Sequence, residues 1–240
     1  MIILKGVTKQ YGGLAAVQDV SLMIPNESIY GIVGRRRAGK STLLSIMSLL
    51  ESPDAGEVYY GINGDERVDI LCGERLRMKR RKTGMIFQKG NLFESRNASG
   101  NISYPLEVAG MTKKQIARRV DELLEIVHLQ DKRTARLREL SDGQKQRVAI
   151  ARALAGSPEI LFCDETASAL DPQTAESILE LIRDIHDRFR LTVVLVAHQI
   201  GLIQSICDDI MVFDEGRIVE VGTVQQLFAP PKTSKERVYA

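Results

Sequence analysis

The chain has no tryptophan, only 5% aromatic residues, and three cysteines in 240 residues. Cys72, Cys163 and Cys207 are widely spaced and form no CxxC pair, which predicts reduced, mostly buried thiols rather than disulfides or a metal site. No apolar run reaches the roughly 18 residues that a membrane-spanning helix needs. Residues 1–5 also lack the charged-then-apolar layout of a signal peptide, so a cytosolic protein is expected.

A strong charge of either sign is missing as well. The 33 Lys and Arg residues nearly balance the 31 Asp and Glu residues, and a net charge of +2 is too small to indicate nucleic-acid binding. The basic run at residues 75–82 has no aromatics between its charges for base stacking, so we interpret it as a solvated helix face rather than a nucleic-acid or lipid site. At this length, one domain or a core with a subdomain is expected.

The first positive feature is the segment 34–41, Gly-Arg-Arg-Arg-Ala-Gly-Lys-Ser, which fits the pattern G-x-x-x-x-G-K-[ST]. It follows the apolar run 29–33 and precedes the helix-like 42–47, so an ordinary glycine-rich turn is the weaker interpretation. In such a turn the backbone N–H groups face a phosphate, the lysine reaches the β/γ-phosphates and the Ser hydroxyl can hold Mg²⁺. The predicted nucleotide-binding residues here are Gly34, Arg35, Arg36, Arg37, Ala38, Gly39, Lys40, Ser41 and Thr42.

The hydrophobic pattern predicts an α/β fold. Short continuous apolar runs, typical of strands buried on both faces of a parallel sheet, occur at 85–87, 160–163, 192–196 and 210–213. Residues 2–7, 17–24 and 57–60 predict antiparallel strands instead, and helical spacing occurs at 116–127 and 178–189. Because 89–155 holds helical pattern without a convincing strand, we expect a helical insertion there. The predicted division is a single domain over 1–240, with a core at 1–88 and 156–225, a helical subdomain at 89–155 and a tail at 226–240.

Polar side chains follow three of the predicted strands. Asp164 and Glu165 end one of them, and we predict Asp164 as a metal residue and Glu165 as the general base; two acids that merely cap a turn are the alternative. His198 follows another strand and can bond the γ-phosphate or orient Glu165. Gln88 follows a third and can sense metal and water. The predicted Mg²⁺ ligands are therefore Ser41, Gln88 and Asp164.

A second motif occupies residues 140–152, Leu-Ser-Asp-Gly-Gln followed by Lys-Gln-Arg-Val-Ala-Ile-Ala-Arg. Ser141 is a favourable N-cap for the helix that follows. With the N–H group of Gly143 it would form a second anion site at a helix N-terminus. One chain would then carry two phosphate-facing ends.

With these motifs in this order, together with 164–171, nearly the whole chain resembles the ABC-type ATPase family. The resemblance implies a P-loop NTPase core, a parallel sheet flanked by helices, with an antiparallel β subdomain and a helical subdomain. It implies a head-to-tail homodimer, in which ATP on one P-loop is capped in trans by the signature residues Ser141, Asp142, Gly143 and Gln144. It further implies that Tyr11 stacks on adenine and that Ser168 and Asp171 belong to the loop that joins the two sites.

Within that family, the segments 29–33, 84–88, 91–96 and 104–107 are most similar to the ATPase subunits of methionine importers. The implied function is hydrolysis of ATP, with Mg²⁺, to power import of methionine or another amino acid. The implied partners are integral membrane permease subunits, docked near residues 88–104, and indirectly an extracytoplasmic substrate-binding protein, which places the chain at the cytoplasmic face of the membrane. A DNA-repair or translation-type member would need a long coiled coil, zinc ligands or a second cassette, and the sequence has none.

Two departures from the family pattern keep an alternative open. Arg36 and Arg37 stand where the family commonly has Ser-Gly, and Asp142 stands where it has Gly. A positive φ at Arg37 and a carboxylate beside the γ-phosphate would both oppose turnover. The chain would then be an ATP-binding, dimerising module with impaired hydrolysis. Because the departures carry opposite charge, Arg36 or Arg37 could also pair with the partner's Asp142.

Overall fold

The structure, a computed structural model, describes residues 1–61, 66–88, 90–198 and 200–227. Its elements in chain order are β1 (Ile2–Tyr11), β2 (Leu14–Ile24), β3 (Ile29–Val33), α1 (Lys40–Met47), β4 (Ala55–Tyr60), β5 (Glu66–Arg67), α2 (Gly73–Arg81), β6 (Thr83–Ile86), α3 (Ala98–Val108), α4 (Lys113–Ile126), α5 (Asp142–Leu154), β7 (Ile160–Asp164), α6 (Pro172–Phe189), β8 (Thr192–Ala197), α7 (Ile200–Ile203), β9 (Asp209–Asp214), β10 (Arg217–Thr223) and α8 (Val224–Leu227). Two predictions fall partly outside the described residues: position 89, where the helical subdomain was expected to begin, and 228–240 of the tail.

The larger sheet has the order β10-β9-β3-β8-β7-β6. β3 pairs in parallel with both β8 and β9, and β7 pairs in parallel with β6 and β8, while β10 closes the edge as an antiparallel hairpin with β9. Every residue of β3 is buried, which explains why the sequence runs apolar there without alternation. Because parallel strands end at the same edge, the loops after β3, β6, β7 and β8 meet there.

The smaller sheet is antiparallel, in the order β2-β1-β4-β5. It lies against the larger one through β2, where the Gln18 N–H donates to the Gly216 carbonyl at 2.7 Å. The prediction of an α/β fold with an antiparallel β flank is confirmed. The short strand β5 was missed because Glu66 and Arg67 carry no apolar signal; it pairs with β4 through the backbone and through the ion pair of Arg67 with Glu57.

The chain between β6 and β7 is helical. α3, α4 and α5 pack on each other around Ile102, Leu123 and Ile150, all fully buried. The predicted basic run forms α2, on which no residue is buried, as expected for a solvated helix. The cysteine prediction is right for Cys163 and Cys207, which are buried free thiols. It is wrong for Cys72, which is exposed because it precedes that solvated helix.

One buried polar residue organises the loop that enters α3. Asn101 is fully buried, accepts from the Phe93 N–H at 2.8 Å, and donates through Nδ2 to the carbonyls of Phe93 and Asn97 at 3.2 and 3.1 Å. Asn97 in turn caps α3 by accepting from the Gly100 N–H at 2.8 Å. The amide of Asn101 therefore replaces water for loop groups that have no strand or helix partner.

We expect Asn101→Ala to lower the free energy of unfolding by about 2–3 kcal/mol, because it leaves buried backbone groups of the loop unpaired. Asn97→Ala, which removes only an N-cap, should cost about 1 kcal/mol. Urea unfolding of both variants measures the difference. An Asn101→Ala cost no larger than that of Asn97→Ala would contradict this account.

Candidate functional site

The turn between β3 and α1 is built on two glycines that leave no room for a side chain. A Cβ on Gly34 would lie 1.9 Å from the Phe213 carbonyl oxygen, and a Cβ on Gly39 would lie 2.0 Å from that of Ala16. Gly39 also has φ of 101°, a conformation that favours glycine. Arg37 adopts φ of 65°, so this arginine sits in the left-handed conformation that the sequence suggested would be required.

Lys40 closes this turn from inside. Its side chain is almost fully buried, and its ammonium donates to the carbonyls of Gly34 at 2.8 Å and Arg35 at 2.7 Å. Burial lowers the pKa of Lys40, while the carboxylates of Glu165 and Asp164 act in the opposite direction. The ammonium therefore lies at the N-terminus of α1 where a phosphate would add to its stabilisation.

The polar residues that follow β6, β7 and β8 do come together. Glu165 is 9% exposed, and its carboxylate lies 2.5 Å from His198 Nε2 and accepts from Gln88 Nε2 at 3.0 Å. Glu165 has φ of 48°, which turns the chain sharply after β7, and its N–H donates to the Val196 carbonyl at 3.1 Å. Gln88 also lies 3.4 Å from the Ser168 hydroxyl. The arrangement orients one carboxylate from two sides.

His198 contacts polar groups through both ring nitrogens. Nε2 lies beside the Glu165 carboxylate, and Nδ1 lies 3.1 Å from the Lys40 ammonium and 3.3 Å from the Gly34 carbonyl oxygen. This gives a continuous line of hydrogen bonds from Lys40 through His198 and Glu165 to Gln88. Beside this line lies a cavity of about 240 Å³, lined by Glu165, Ser168 and His198 among others. The cavity thus places an imidazole and a carboxylate around one small space, and the buried Lys40 contacts that imidazole from the P-loop.

Two oxygen groups converge where a divalent cation was predicted. The Ser41 hydroxyl donates to Asp164 Oδ1 at 3.1 Å. Burial raises the pKa of Asp164, opposed by the Ser41 hydrogen bond, so a nearby cation would stabilise its ionised form. Mg²⁺ commonly uses one carboxylate, a hydroxyl and substrate phosphates with several waters, and these two side chains fit that donor set. Gln88, the third predicted ligand, is directed to Glu165 and Ser168.

Tyr11 lies at the end of β1, close to the same turn. Its ring is 47% exposed and its hydroxyl donates to Glu51 Oε1 at 2.5 Å. The Thr42 hydroxyl, on the first turn of α1, is also among its hydrogen-bonding neighbours. An exposed ring beside α1 can stack on a flat base without losing its hydroxyl contact.

The second motif begins α5 as a capping box. Ser141 Oγ accepts from the Gln144 N–H at 3.2 Å, and Gln144 Oε1 accepts from the Ser141 N–H at 3.0 Å. Asp142 pairs with Lys145 of the same chain at 2.9 Å, with the acid 80% exposed. A Cβ on Gly143 would lie 2.6 Å from Thr174 Cγ2, so glycine allows α5 to approach α6 closely.

The predicted dimer-loop residues have local contacts. Asp171 caps α6 by accepting from the Thr174 N–H at 3.0 Å, and the Ser168 hydroxyl donates to the Glu165 carbonyl at 3.0 Å. Residues 168–171 therefore connect the backbone of Glu165 to the N-terminus of α6. That helix end lies beside the N-terminus of α5, because Thr174 is close to Gly143.

The sequence profile of the ABC transporter family matches residues 17–168. The chain belongs to the ABC transporter family. It is 48% identical over 235 residues to the methionine import ATP-binding protein MetN of Symbiobacterium thermophilum, covering 96% of this chain and 70% of that relative.

Solved structures of the same family superpose closely. The ATP-binding cassette MJ0796, in a dimeric post-hydrolysis state bound to ADP and Pi, has a TM-score of 0.84 and 33% identity, over 93% of this chain and 99% of that one. Another, cbiO1 of Clostridium perfringens, part of an ABC transporter complex, has a TM-score of 0.86 and 26% identity, over 95% and 90% of the two chains. The family prediction is confirmed, and the chain is an ATP-binding subunit that hydrolyses ATP.

One residue close to this ABC site was not found from sequence. Arg152, on α5, donates to the carbonyls of Gly90 at 2.6 Å and Asn91 at 2.8 Å, and burial lowers its pKa. It thereby ties the signature helix to the segment that follows Gln88. The available sequence signal was the position of Arg152 inside an apolar helical stretch. An arginine that is partly buried in such a stretch needs hydrogen-bond acceptors nearby.

We expect Gly39→Ala to weaken ATP binding by at least about 10²-fold, because the added methyl displaces the turn by an ångström or more from Ala16. Gly110→Ala is the matched control: Gly110 also has positive φ, of 75°, but a Cβ there meets nothing within 4 Å. The control should cost about 1 kcal/mol of stability and leave binding intact. Equilibrium titration with a fluorescent ATP analogue measures both; equal affinities of the two variants would contradict the packing argument.

Proposed function

We propose that this chain is the ATPase subunit of an importer of methionine, or of a similar amino acid, working at the cytoplasmic face of the membrane. The near-complete coverage of this chain by a methionine import relative supports the substrate assignment. The hydrogen-bonded line Lys40–His198–Glu165–Gln88 is the observation that carries the catalytic part of the proposal.

In the proposed reaction Lys40 and the backbone N–H groups of residues 34–41 hold the triphosphate. Glu165, held by His198 and Gln88, orients the water that attacks the γ-phosphorus and takes up its proton. Tyr11 stacks on adenine at the side of the turn, where its ring is exposed. Ser41 and Asp164 would hold Mg²⁺, which supplies charge neutralisation for the phosphates.

A homodimer completes the site in this proposal. The capped N-terminus of α5, with Ser141 and Gly143, is an anion site on the surface of the chain, and it would bind the γ-phosphate held by the P-loop of a second copy. The Ser168–Asp171 loop joins Glu165 to the helix beside that end, so it connects the two composite pockets. Asp142 already has a cation of its own in Lys145, which lowers the repulsion that its carboxylate would exert on the phosphate.

A broad groove between the sheet and the helical region suits a permease segment. It has a volume of about 830 Å³ and exposes Phe93, Tyr104 and Val108. The rings of Phe93 and Tyr104 are in contact, with centroids 4.7 Å apart and planes tilted by 59°. Among the described lining residues the charged ones are all arginines, namely Arg77, Arg80, Arg81, Arg119 and Arg152. We therefore propose that an amphipathic segment of an integral membrane subunit docks here, and that a substrate-binding protein acts through that subunit.

None of the helices in the described residues has both the length and the apolar character of a membrane-spanning segment.

We expect Glu165→Gln to reduce steady-state phosphate release by about 10²- to 10⁴-fold, because the amide cannot accept the water proton. The variant should still bind ATP and form an ATP-dependent dimer, measured by light scattering, because Lys40 and the P-loop are unchanged. A wild-type chain that binds ATP and dimerises without Glu165-dependent hydrolysis would instead support the impaired module.

We expect Val108→Asp to reduce copurification with the permease by at least about 10-fold, because Val108 is 64% exposed in the groove and an aspartate there would be buried without a partner. Methionine uptake by proteoliposomes of the assembled transporter should fall in parallel. Val219→Asp, at a 48% exposed position on β10, is the control and should leave both unchanged. Equal losses in the two variants would argue against the groove as the docking site.

A further inference from the structure

Three consecutive arginines of the P-loop are exposed. Their backbone is engaged, since the Arg35 carbonyl accepts from Lys40 Nζ at 2.7 Å and from the Ala38 N–H at 3.3 Å. Within the described residues, however, none of the three guanidinium groups forms a hydrogen bond or an ion pair. Three cations thus lie without acidic partners on the turn that receives a triphosphate.

The three arginines differ in what they face. Arg36 lines the cavity of about 240 Å³ that also holds Glu165, Ser168 and His198. Arg35 lines a neighbouring cavity of about 310 Å³ on the other side of His198, which Arg36 also borders. Arg37 lines neither of these cavities and instead supplies the positive φ of the turn. Arg36 is therefore the arginine placed beside the predicted general base.

The surroundings of that cavity strengthen the electrostatic interactions of a charged group at its mouth. Its lining includes the apolar side chains of Leu179, Leu195 and Ile203, together with the buried Thr166. In such partly desolvated surroundings the interaction between a guanidinium and a phosphoryl oxygen is stronger than in water. A guanidinium also matches the phosphoryl group geometrically, because its N–H groups form a planar fork.

We propose that Arg36 is a catalytic residue whose guanidinium binds the γ-phosphoryl oxygens and stabilises the charge that develops on them during hydrolysis. The inference rests on the proposed function, because it places the γ-phosphate between Lys40 and Glu165. The water oxygen forms a bond to the γ-phosphorus while the bond from phosphorus to the β,γ-bridging oxygen breaks, and that electron pair leaves with ADP. The water proton passes to Glu165, and Arg36 stays protonated throughout.

This role reverses the expectation that Arg36 opposes turnover. An arginine at the γ-phosphoryl group acts in the same way as arginines that other phosphoryl-transfer enzymes supply in cis. Pairing of Arg36 with Asp142 of a second copy is less favourable, because Asp142 is already paired with Lys145 at 2.9 Å. The Arg36 guanidinium, which has no partner among the described residues, is better matched to the γ-phosphoryl oxygens of the substrate.

The test compares Arg36→Ser and Arg36→Lys with Arg75→Ser in the full chain. Arg75, on α2, is exposed and, unlike Arg77 and Arg81 of the same helix, does not line the proposed docking groove, so its variant removes the same charge away from both proposed sites. We expect Arg36→Ser to lower kcat by about 10²-fold with less than about a threefold change in KM, because the contact forms mainly in the transition state. Arg36→Lys should recover part of the loss, and Arg75→Ser should match wild type.

Binding of ADP with aluminium fluoride gives a second readout that a structural role would not move. The affinity of the protein for ADP with aluminium fluoride should fall in Arg36→Ser by a factor similar to the fall in kcat. The affinity for ADP alone and the circular dichroism spectrum should stay unchanged. An Arg36→Ser kcat equal to or above wild type, or equal losses for ADP and its aluminium fluoride complex, would overturn the inference.

The Glu165→Gln variant separates the two proposals. If Glu165→Gln abolishes hydrolysis and Arg36→Ser does not, only the role of Arg36 fails. If Glu165→Gln leaves the rate unchanged, the site assignment fails and the role of Arg36 fails with it. If Arg36→Ser weakens ATP-dependent dimerisation and its kcat returns to the wild-type value at high protein concentration, Arg36 contacts the second copy instead, which overturns the inference.

Discussion

The chemistry of this protein depends on one line of hydrogen bonds at the carboxyl edge of its parallel sheet. Lys40, His198, Glu165 and Gln88 come from four different segments, and each contact orients the next. The lysine contacts one nitrogen of the imidazole, and the other nitrogen lies beside the carboxylate. The line starts in the P-loop and ends at Gln88, which follows Phe87 of the proposed docking groove. Phosphate binding and the proposed partner binding would therefore act on the same carboxylate.

The connection to the groove continues beyond Gln88. Arg152 fixes the carbonyls of Gly90 and Asn91, and Asn101 fixes the backbone of Phe93. Phe93 belongs to the aromatic pair that lines the groove. A segment docked there, as proposed, would contact a loop whose backbone is held from two helices, α5 and α3. In the proposed complex, these hydrogen-bonded groups would couple a membrane partner to the segment that follows Gln88.

The unusual charges of the chain fit this arrangement. Gly34 and Gly39 keep the backbone of the turn in a conformation that can bind phosphate. The exposed side chains of Arg36 and Arg37 therefore do not occupy the space that the phosphate would take. Asp142 is neutralised by Lys145 within one turn of α5. The family's small residues at these positions are thus replaced by charges that the local structure accommodates, and the impaired-hydrolysis alternative is not favoured by the similarity of the whole chain to transport ATPases.

Much of the fold could be predicted from local patterns, because burial on both faces makes β3, β7 and β8 continuous apolar runs and because glycine spacing marks the P-loop. The sequence alone determined the phosphate-binding turn, the cap of α5 and the family. Only the tertiary structure decided which groups meet. Examples are the contacts of His198 with Lys40 and Glu165, the contact of Arg152 with Gly90, and the placement of Arg36 rather than Arg37 in the cavity of Glu165. Those contacts join residues far apart in the chain, and their geometry is set by sheet order and packing, which no local pattern contains.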